Sequence, residues 1–474
     1  MSKNWLIIPI ETKIRELYGK SLLAACAAEA GMQVILGDQR VISRSLHHLP
    51  RGLYIDKSIS RTKISHFRRL RRMGSSIAAW CEEGLAYRDK SAYQFERVDP
   101  QSMNEVDAFF AWGKSQSLDV LEKLPDAAGK MHIYGNPRFD FLQPNLRTVF
   151  DNDVQKLNAV HGRYVLVNTN FSRYNRFKGR DDVVDVLRER GILRSEDQKP
   201  YYLRSVEHLG EVFRYFADAV PKLAAAFPDI TFIVRPHPSE NHDRWRTEMA
   251  GHANVQVNAD GNVIPWMMGA QAVIHNACTT GVESFLLDRP TIAYVPVVHE
   301  TFNRLSYLPN AISRIARDMD ELTEALRCAL AQERPFDNAS AEKRKLVSEY
   351  VANACGESAA ENIVRALGAL SARPKPSAWR EQSARLLSLA RFNAARARRV
   401  LRPDRAMRAY LDQKFPDLTL NELEDVMQRI ALARGRKSAP QVTPYPGLAS
   451  CFLVSGGAGK TEDNNKVPEL TSAM

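Results

Sequence analysis

Two acidic residues and a glycine, Glu82, Glu83 and Gly84, follow Cys81, which comes directly after the predicted strand 76–80. A carboxylate at the carboxyl end of a strand faces the crevice in which α/β proteins bind ligands. Because adjacent like charges raise the pKa of one partner, such a pair suits a general base. The competing interpretation is that both acids open the next helix, whose dipole favours negative charge. The motif therefore predicts either a base in a cleft or a helix start.

A second motif, Arg235-Pro236-His237-Pro238, follows the apolar run 231–234. Each proline restricts the residue before it to extended backbone, so we expect Arg235 and His237 to project to the same side. A guanidinium and an imidazole at one sheet edge can grip and protonate a phosphate. The alternative is a rigid loop start with an incidental histidine.

A third motif lies between an apolar run and a helical stretch, where Thr279 and Thr280 precede Gly281. Free N–H groups at a helix N-terminus bind anions, and threonine hydroxyls add donors. Thr280 and Glu283 also fit the S/T-x-x-E capping box, which explains both residues without a ligand. The two interpretations are compatible, since a capped helix end still presents its remaining donors.

Several common chemistries are not indicated. The sequence contains no GxxxxGK[ST] motif, which excludes a P-loop nucleotide site, and no HExxH motif or carboxylate cluster. We therefore expect neither a metal nor another cofactor, because protein donors can neutralise a phosphate without one.

The three motifs must be positioned by strands that alternate with helices, a pattern that predicts parallel sheets in an α/β fold. A break near residues 145–163 divides the alternation into two Rossmann-like units that face a cleft. The predicted domains are an acceptor-side unit (1–155), a nucleotide-binding unit (156–370), a basic helical extension (371–435) and a flexible tail (436–474). The predicted strands are 5–10, 33–36, 76–80, 108–112, 131–134, 164–167, 231–234, 255–257, 272–274 and 291–295.

The composition of the 474 residues, 44% hydrophobic and 26% charged, is typical of a globular protein. The six cysteines include no CxxC pair, which fits a reducing compartment. The chain has no apolar run of the length that a membrane span or a signal peptide needs. We therefore expect a cytoplasmic protein whose membrane contact, where it exists, is peripheral.

The formal charge of +11 is concentrated in one segment. Residues 373–408 contain eleven basic residues and two acidic ones, a local charge of +9, and leucines interleave with the arginines. The segment predicts an interfacial helix that docks on the anionic inner face of a membrane. The alternative is a solvated helix that packs on the C-terminal domain.

Several short motifs resemble the bacterial family called "surface carbohydrate biosynthesis protein". The resemblance covers roughly residues 5–300 and is specific in combination. Its motifs are 8–17, 34–38, 50–54, 82–85, 135–138, 168–171, 235–238 and 279–283.

More distantly, Glu82-Glu83-Gly84 resembles the D/E-D/E-G motif of bacterial sialyltransferases, and His237-Pro238 resembles their HP motif. Bacterial capsule Kdo transferases carry a similar histidine–proline element. These resemblances imply a GT-B fold and an inverting, metal-independent transfer of a sialic-, legionaminic- or Kdo-like nonulosonic acid. The donor is then a CMP-sugar, and the acceptor a surface polysaccharide or a lipid-linked glycan.

The resemblance also implies roles for individual residues. Glu82 is the general base, while His237 stabilises or protonates the departing phosphate and Pro238 shapes the nucleotide pocket. Thr279 and Thr280 hold the phosphate, and Glu283 contacts the ribose. Glu83 and Gly84 of the acidic motif are further substrate- or nucleotide-binding candidates, and Arg235 and Asn170 are phosphate-side candidates from position alone.

Three other functions compete with this one. A CDP-glycerol-type glycerophosphotransferase has a similar architecture and phosphate-binding histidines, and a sugar-nucleotide epimerase has a similar two-domain shape. The charge alone suggests nucleic-acid binding, but no RRM, KH or helix-turn-helix signature appears, so we expect no nucleic-acid partner.

Overall fold

The computed structural model contains two sheets of mainly parallel strands with helices on both faces, which confirms the predicted α/β, GT-B-like architecture of two Rossmann-like units. The described residues are 5–85, 87, 90–176, 183–189, 193, 195–302, 307–331, 340–354, 356–370, 373–401 and 405–456.

The first sheet has the strand order β13-β14-β2-β1-β3-β4-β5-β6. Strands β1 to β6 pair only in parallel with one another, and most of their residues are buried, as expected for strands covered on both faces. The strands of this sheet are β1 (Trp5–Ile10), β2 (Gln33–Asp38), β3 (Leu53–Asp56), β4 (Ser76–Ala79), β5 (Ala108–Ala111), β6 (Met131–Ile133), β13 (Gln441–Pro444) and β14 (Cys451–Ser455).

The second sheet has the order β12-β11-β10-β7-β8-β9, and all its described pairs are parallel. The order reverses at β7 and β10, and ligands bind at such a reversal in open α/β sheets. The strands of this sheet are β7 (Tyr164–Asn168), β8 (Thr231–Arg235), β9 (Val255–Val257), β10 (Ala272–His275), β11 (Thr291–Tyr294) and β12 (Arg314–Ala316).

The helices fill the faces of both sheets. They are α1 (Lys13–Glu29), α2 (Gln39–Arg44), α3 (Ile64–Arg72), α4 (Lys90–Arg97), α5 (Pro100–Asn104), α6 (Lys114–Lys123), α7 (Pro137–Asp140), α8 (Asp151–His161), α9 (Val183–Glu189), α10 (Lys199–Ala226), α11 (His242–Glu248), α12 (Val263–Gly269), α13 (Thr279–Leu286), α14 (Tyr307–Ile312), α15 (Met319–Leu330), α16 (Ala341–Tyr350), α17 (Ala359–Ala369), α18 (Ala378–Leu401), α19 (Arg405–Lys414) and α20 (Leu420–Ala433).

The helix α17, which the prediction placed in the second unit, packs on α1 and α7 of the first unit instead. The buried carboxylate of Asp140 fixes this crossing, because it accepts hydrogen bonds from the α17 main-chain N–H groups of Ala359 (2.8 Å) and Ala360 (3.0 Å). A continuous hydrophobic cluster, which includes Leu22 of α1 and Phe285 of α13, then joins the two units. The predicted units 1–155 and 156–370 are therefore not two independently packed bodies.

The predicted flexible tail at 436–474 is wrong for its first part. Strand β14 pairs antiparallel with β2, and β13 pairs antiparallel with β14. Phe452 and Val454 are buried in this arrangement, so the apolar run 451–454 covers what would otherwise be an exposed sheet edge. Residues 457–474 of the predicted tail lie outside the described residues.

The basic helix α18 packs on the first unit, not on the C-terminal unit. Arg385 donates hydrogen bonds to the carbonyls of His47 (2.9 Å) and Leu49 (3.1 Å), and Phe392 lies against the His47 ring. Within the described parts of the chain, no helix combines the length and the apolar character that crossing a bilayer requires. The side chains of 398–407 lie outside the described set.

Candidate active site

Glu82 lines a small cleft at the carboxyl end of β4. Its buried carboxylate accepts a hydrogen bond from Trp80 Nε1 (2.9 Å) and lies 3.8 Å from Lys20 Nζ. The helix-start interpretation is wrong, because residues 82–85 form turns and α4 begins only at Lys90. The cleft is lined by Glu16, Gly19, Lys20, Trp80, Glu82, Asn136, Pro137 and Arg138.

Glu83 is surrounded by cations. Its carboxylate lies 3.3 Å from Arg97 Nη1 and 3.8 Å from Arg15 Nη2. Burial raises the pKa of Glu83, but Arg97, Lys57, Arg15 and other cations outweigh burial and hold the pKa well below its usual range. Glu83 is therefore ionised, and its environment does not suit a general base.

Gly84 is required for its size rather than for flexibility. A Cβ atom at this position would collide with the Gln116 side chain. Gln116 is itself buried and donates from Nε2 to the Tyr93 hydroxyl (2.6 Å), while its Oε1 accepts from the Trp112 main-chain N–H (2.7 Å). The turn that carries both glutamates is thus held against a packed polar contact.

His237 follows β8 and is half-buried. Its Nδ1 accepts a hydrogen bond from the Ser239 main-chain N–H (3.1 Å), which assigns the proton of the neutral ring to Nε2. Burial lowers the pKa of His237 to about 3, and Arg15 and Lys414 add to this effect. The imidazole is therefore neutral near pH 7 and can donate one hydrogen bond from Nε2.

Arg235 does not join His237. Its buried guanidinium donates to the carbonyls of Asp260 (2.9 Å) and Gly261 and stacks over the Trp266 ring, 5.5 Å from its centroid. Burial lowers the pKa of Arg235 to about 10. These contacts use the N–H donors of Arg235 to hold the 260–261 loop, so they do not favour the predicted binding of a phosphate by Arg235.

Asn170 is exposed at the carboxyl end of β7. Its main-chain N–H donates to Asn276 Oδ1 (2.8 Å), which joins the loops after β7 and β10. Its own Oδ1 accepts from the Ser172 hydroxyl (3.1 Å). Asn170 therefore lies at the rim of the second sheet, where the strand order reverses.

The helix α13 begins two residues earlier than the capping-box prediction requires. Cys278 occupies the N-cap position, so Thr279 and Thr280 both lie in the first turn. The Thr280 hydroxyl contacts Cys278 Sγ, and burial raises the pKa of that thiol to about 11. Both threonines are half-buried, and the helix N-terminus lies at the carboxyl edge of β10, as predicted. The predicted Thr280–Glu283 capping box is wrong, because Cys278 and not Thr280 is the N-cap.

Glu283 joins the two units instead of facing a ribose. Its buried carboxylate lies 2.9 Å from Arg138 Nη2, on α7 of the first unit. Burial raises the pKa of Glu283, and Arg138 and Arg15 oppose that rise. The resemblance implied a ribose contact, whereas the structure pairs this carboxylate with Arg138.

Four cations at the cleft were not singled out by the sequence analysis. Arg15 and Arg97 flank Glu83, while Lys57 and Lys414 both contact the carboxylate of Glu11. Arg15 follows the apolar run of β1 by a few residues, which is the same signal that identified Glu82 after β4. Lys414 carries no such signal, since it comes from the distant α19.

A single carboxylate, Glu240, holds together the loops of the second unit that follow β7 and β8. It is fully buried and accepts hydrogen bonds from Thr169 Oγ1 (2.9 Å) and from the main-chain N–H groups of Phe171 (3.0 Å) and His237 (3.1 Å). The loops after β7 and β8 therefore share one anchor. The sequence analysis missed this residue, which lies two positions after Pro238.

The structure thus brings Glu83 and His237, from different units, within electrostatic reach of each other. Both lie within electrostatic reach of Arg15 and Lys414. Glu82 occupies the same turn as Glu83, and Pro238 adjoins His237. The charged groups of two other predicted residues contact protein groups instead: Arg235 donates to the 260–261 loop, and Glu283 pairs with Arg138.

Comparison with protein-family models finds no match, and comparison with curated proteins finds none either. Among solved structures, two UDP-GlcNAc 2-epimerases are similar, from Methanocaldococcus jannaschii (12% identity, TM-score 0.44) and from Neisseria meningitidis (12% identity, TM-score 0.46). Each similarity covers 77% of this chain and 99% of the other. The wall teichoic acid polymerase TagF is similar over 77% of this chain and 88% of its own, with 9% identity and a TM-score of 0.47.

Proposed function

We propose that the chain is an inverting, metal-independent glycosyltransferase that moves a nonulosonic acid from a CMP-sugar to a surface polysaccharide or lipid-linked acceptor. The observation that carries this proposal is that a neutral His237 on the second unit lies within electrostatic reach of Glu83, which shares the turn of the cleft residue Glu82 on the first unit. A base and a hydrogen-bond donor on opposite sides suit a substitution in which the nucleophile enters and the phosphate leaves from opposite faces.

Glu82 is the general base of this reaction. Its carboxylate is held by the Trp80 indole N–H and has Lys20 nearby, so its orientation is fixed in the cleft. It takes the proton of the acceptor hydroxyl as that oxygen bonds to the anomeric carbon. Glu83 instead keeps its charge beside Arg97 and Arg15 and positions those cations.

His237 stabilises the leaving phosphate by a hydrogen bond from Nε2 and transfers no proton. As the bond between the anomeric carbon and the phosphate oxygen breaks, its electron pair moves to that oxygen and CMP departs. A donor aimed at developing charge lowers the barrier to such a step. The low pKa of His237 supports hydrogen bonding over proton donation, and we assign His237 the first of the two roles that the resemblance left open.

The remaining predicted residues line the phosphate side. The first turn of α13, with Thr279 and Thr280, offers main-chain N–H groups and hydroxyls to an anion. Pro238 and Asn170 lie on the adjoining loops, which Glu240 and Asn276 hold in place. We assign these four residues to nucleotide binding.

The test is the release of CMP from a donor by the full-length protein. CMP-N-acetylneuraminate and CMP-Kdo would be compared with CDP-glycerol and UDP-GlcNAc, each with an oligosaccharide acceptor. We expect CMP release from a CMP-sugar, with a loss of kcat of at least about a hundredfold in Glu82→Gln. His237→Asn should lose about a hundredfold in kcat as well.

Matched controls separate these roles from general damage. Glu324→Gln and His252→Asn, at exposed positions outside the cleft, should retain wild-type rates. Consumption of CDP-glycerol alone would support the glycerophosphotransferase, and conversion of UDP-GlcNAc without acceptor would support the epimerase. Either result, or full activity in both cleft variants, would contradict the proposal.

We further propose that α18 holds the enzyme on the anionic inner face of the cytoplasmic membrane, next to lipid-linked acceptors. Its outer face exposes apolar side chains, Trp379 (77%) and Leu386 (60%) among them. Arg380, Arg391 and Arg396 are exposed on the same helix. Basic residues beside exposed apolar ones are typical of helices that lie in a lipid interface.

Flotation with liposomes tests this docking surface. We expect binding to vesicles that contain phosphatidylglycerol, weaker binding at high salt, and little binding to phosphatidylcholine alone. A Trp379→Ala/Leu386→Ala variant should float less, whereas Leu118→Ala, at an exposed leucine on α6, should float like the wild type. Binding that ignores both salt and lipid charge would overturn the proposal.

A further inference from the structure

The C-terminal segment that includes α19 contacts both units. Gln413 Nε2 donates to the carbonyl of Pro238 (2.6 Å), beside His237 on the second unit. The next residue, Lys414, donates to Glu11 Oε1 (3.3 Å), at the end of β1 on the first unit. Gln413 and Lys414 therefore link the two units.

This segment is anchored on the first unit at further points. Lys13 Nζ donates to the carbonyl of Asp417 (2.7 Å) and to the carboxylate of Glu422 (2.6 Å). Arg40 Nε donates to the carboxylate of Asp38 at the end of β2 (2.8 Å), and Arg40 Nη1 lies 3.7 Å from Asp412 Oδ1. Because anchors lie on both sides of it, Lys414 has a fixed position at the cleft.

Arg15, in the first turn of α1, has donors that the protein does not use. Its Nη2 lies 3.7 Å from Glu16 and 3.8 Å from Glu83, beyond hydrogen-bond distance. Its Nε is buried and has no hydrogen-bond partner among the residues that the structure describes. A guanidinium with open donors beside a cleft is suited to receive a carboxylate.

Charge in this part of the cleft favours an anion. Lys57 and Lys414 share Glu11, and Arg15 and Arg97 share Glu83, while Arg15 also lies 3.7 Å from Glu16, so four cations accompany three carboxylates. Burial is the main cause of the low pKa of His237, and Arg15 and Lys414 add to it, so both cations act on the region where a leaving group would depart.

We propose that Arg15 and Lys414 together bind the carboxylate of the donor sugar, which makes the C-terminal segment part of the substrate site. The inference rests on the proposed function, since a nonulosonic acid carries a carboxylate at its anomeric carbon. Arg15 offers guanidinium N–H donors to that group, and Lys414 offers an ammonium N–H. The pair would therefore distinguish an acidic sugar from a neutral one.

The test compares the affinity for CMP with that for CMP-N-acetylneuraminate, by calorimetry on the full-length protein. We expect Arg15→Gln and Lys414→Gln each to weaken binding of the CMP-sugar about tenfold and to change binding of CMP less than about threefold. Lys414→Arg, which keeps the charge, should restore most of the affinity. Lys437→Gln, at an exposed lysine farther along the same segment, is the matched control.

The outcomes separate this inference from the proposed function. If the wild type releases CMP from CMP-N-acetylneuraminate while both variants bind it normally, the carboxylate site is wrong and the proposed function stands. Equal losses for CMP and for the CMP-sugar would assign the two residues to the phosphate, and would also overturn the inference. If the wild type binds neither CMP nor any CMP-sugar, both fail together. Melting temperatures of the variants exclude loss of folding as the cause.

Discussion

The guanidinium of Arg138, on α7, lies 2.9 Å from the carboxylate of Glu283, on α13, and this buried ion pair joins the two units next to the cleft. The contact depends on a close approach of helices, because a Cβ on Gly19 of α1 would lie 2.8 Å from the Arg138 main-chain nitrogen. The pair therefore sets the distance between the surfaces that carry Glu82 and the α13 N-terminus.

Removal of Arg138 alone should strongly destabilise the fold. Arg138→Leu leaves Glu283 buried without its partner, which costs about 3–5 kcal/mol of unfolding free energy. The double variant Arg138→Leu/Glu283→Leu should recover much of that loss, since no uncompensated charge remains. Urea denaturation measures both, and strictly additive losses would show that the two side chains are not coupled.

Much of the fold could be predicted because the apolar runs of the parallel strands are local signals. The run 231–234 lies within β8, and 272–274 lies within β10. By contrast, β3 has only three apolar residues before Asp56, and β14 becomes a strand through its pairing with β2, far away in the sequence. Partners of that kind cannot be found from local spacing.

The candidate site could be predicted in part for the same reason. Residues such as Glu82 and His237 follow strands directly, so their positions follow from the sheet. Side-chain direction does not, and Arg235 turns toward the Asp260 carbonyl although it is only two residues from His237. The role of Lys414 depends on the path of a C-terminal segment that nothing in its composition reveals.

Substitution of Glu240 should disturb the site without touching a substrate. In Glu240→Gln an amide replaces one carboxylate oxygen, so one of the buried donors, such as Trp245 Nε1 (2.9 Å), loses its acceptor. We expect a loss of about 2 kcal/mol in unfolding free energy and a lower kcat, because the His237 loop loosens. Thr169→Val removes only one of these hydrogen bonds and should cost about 1 kcal/mol. Equal effects of the two variants would contradict an anchoring role.

The activity should show no inflection from His237 near its ordinary pKa of 6.5, because burial lowers the pKa to about 3. For stability, the sign follows from proton binding: below pH 6.5 the unfolded chain takes up a proton at this residue that the folded chain refuses. His237 therefore contributes stability above pH 6.5 that is lost as the pH falls toward 3. Urea denaturation of the wild type and of His237→Asn from pH 7 to pH 4 checks this. The variant should show a shallower decline, and parallel curves would show that the ring is protonated in the fold.

Truncation tests whether β14 is an integral part of the first sheet. A chain that ends at residue 436 lacks β13 and β14, which exposes the edge of β2 and removes the buried side chains of Phe452 and Val454. Burying those two side chains contributes about 4 kcal/mol, so we expect a lower melting temperature and aggregation through the open edge. A chain that ends at residue 456 keeps every contact of β14 described above and should melt with the full-length protein. Equal melting of the 436-residue chain would show that the strand is dispensable. Deletion of residues 373–474 does not separate the basic helix from catalysis, because it removes Lys414 together with that helix.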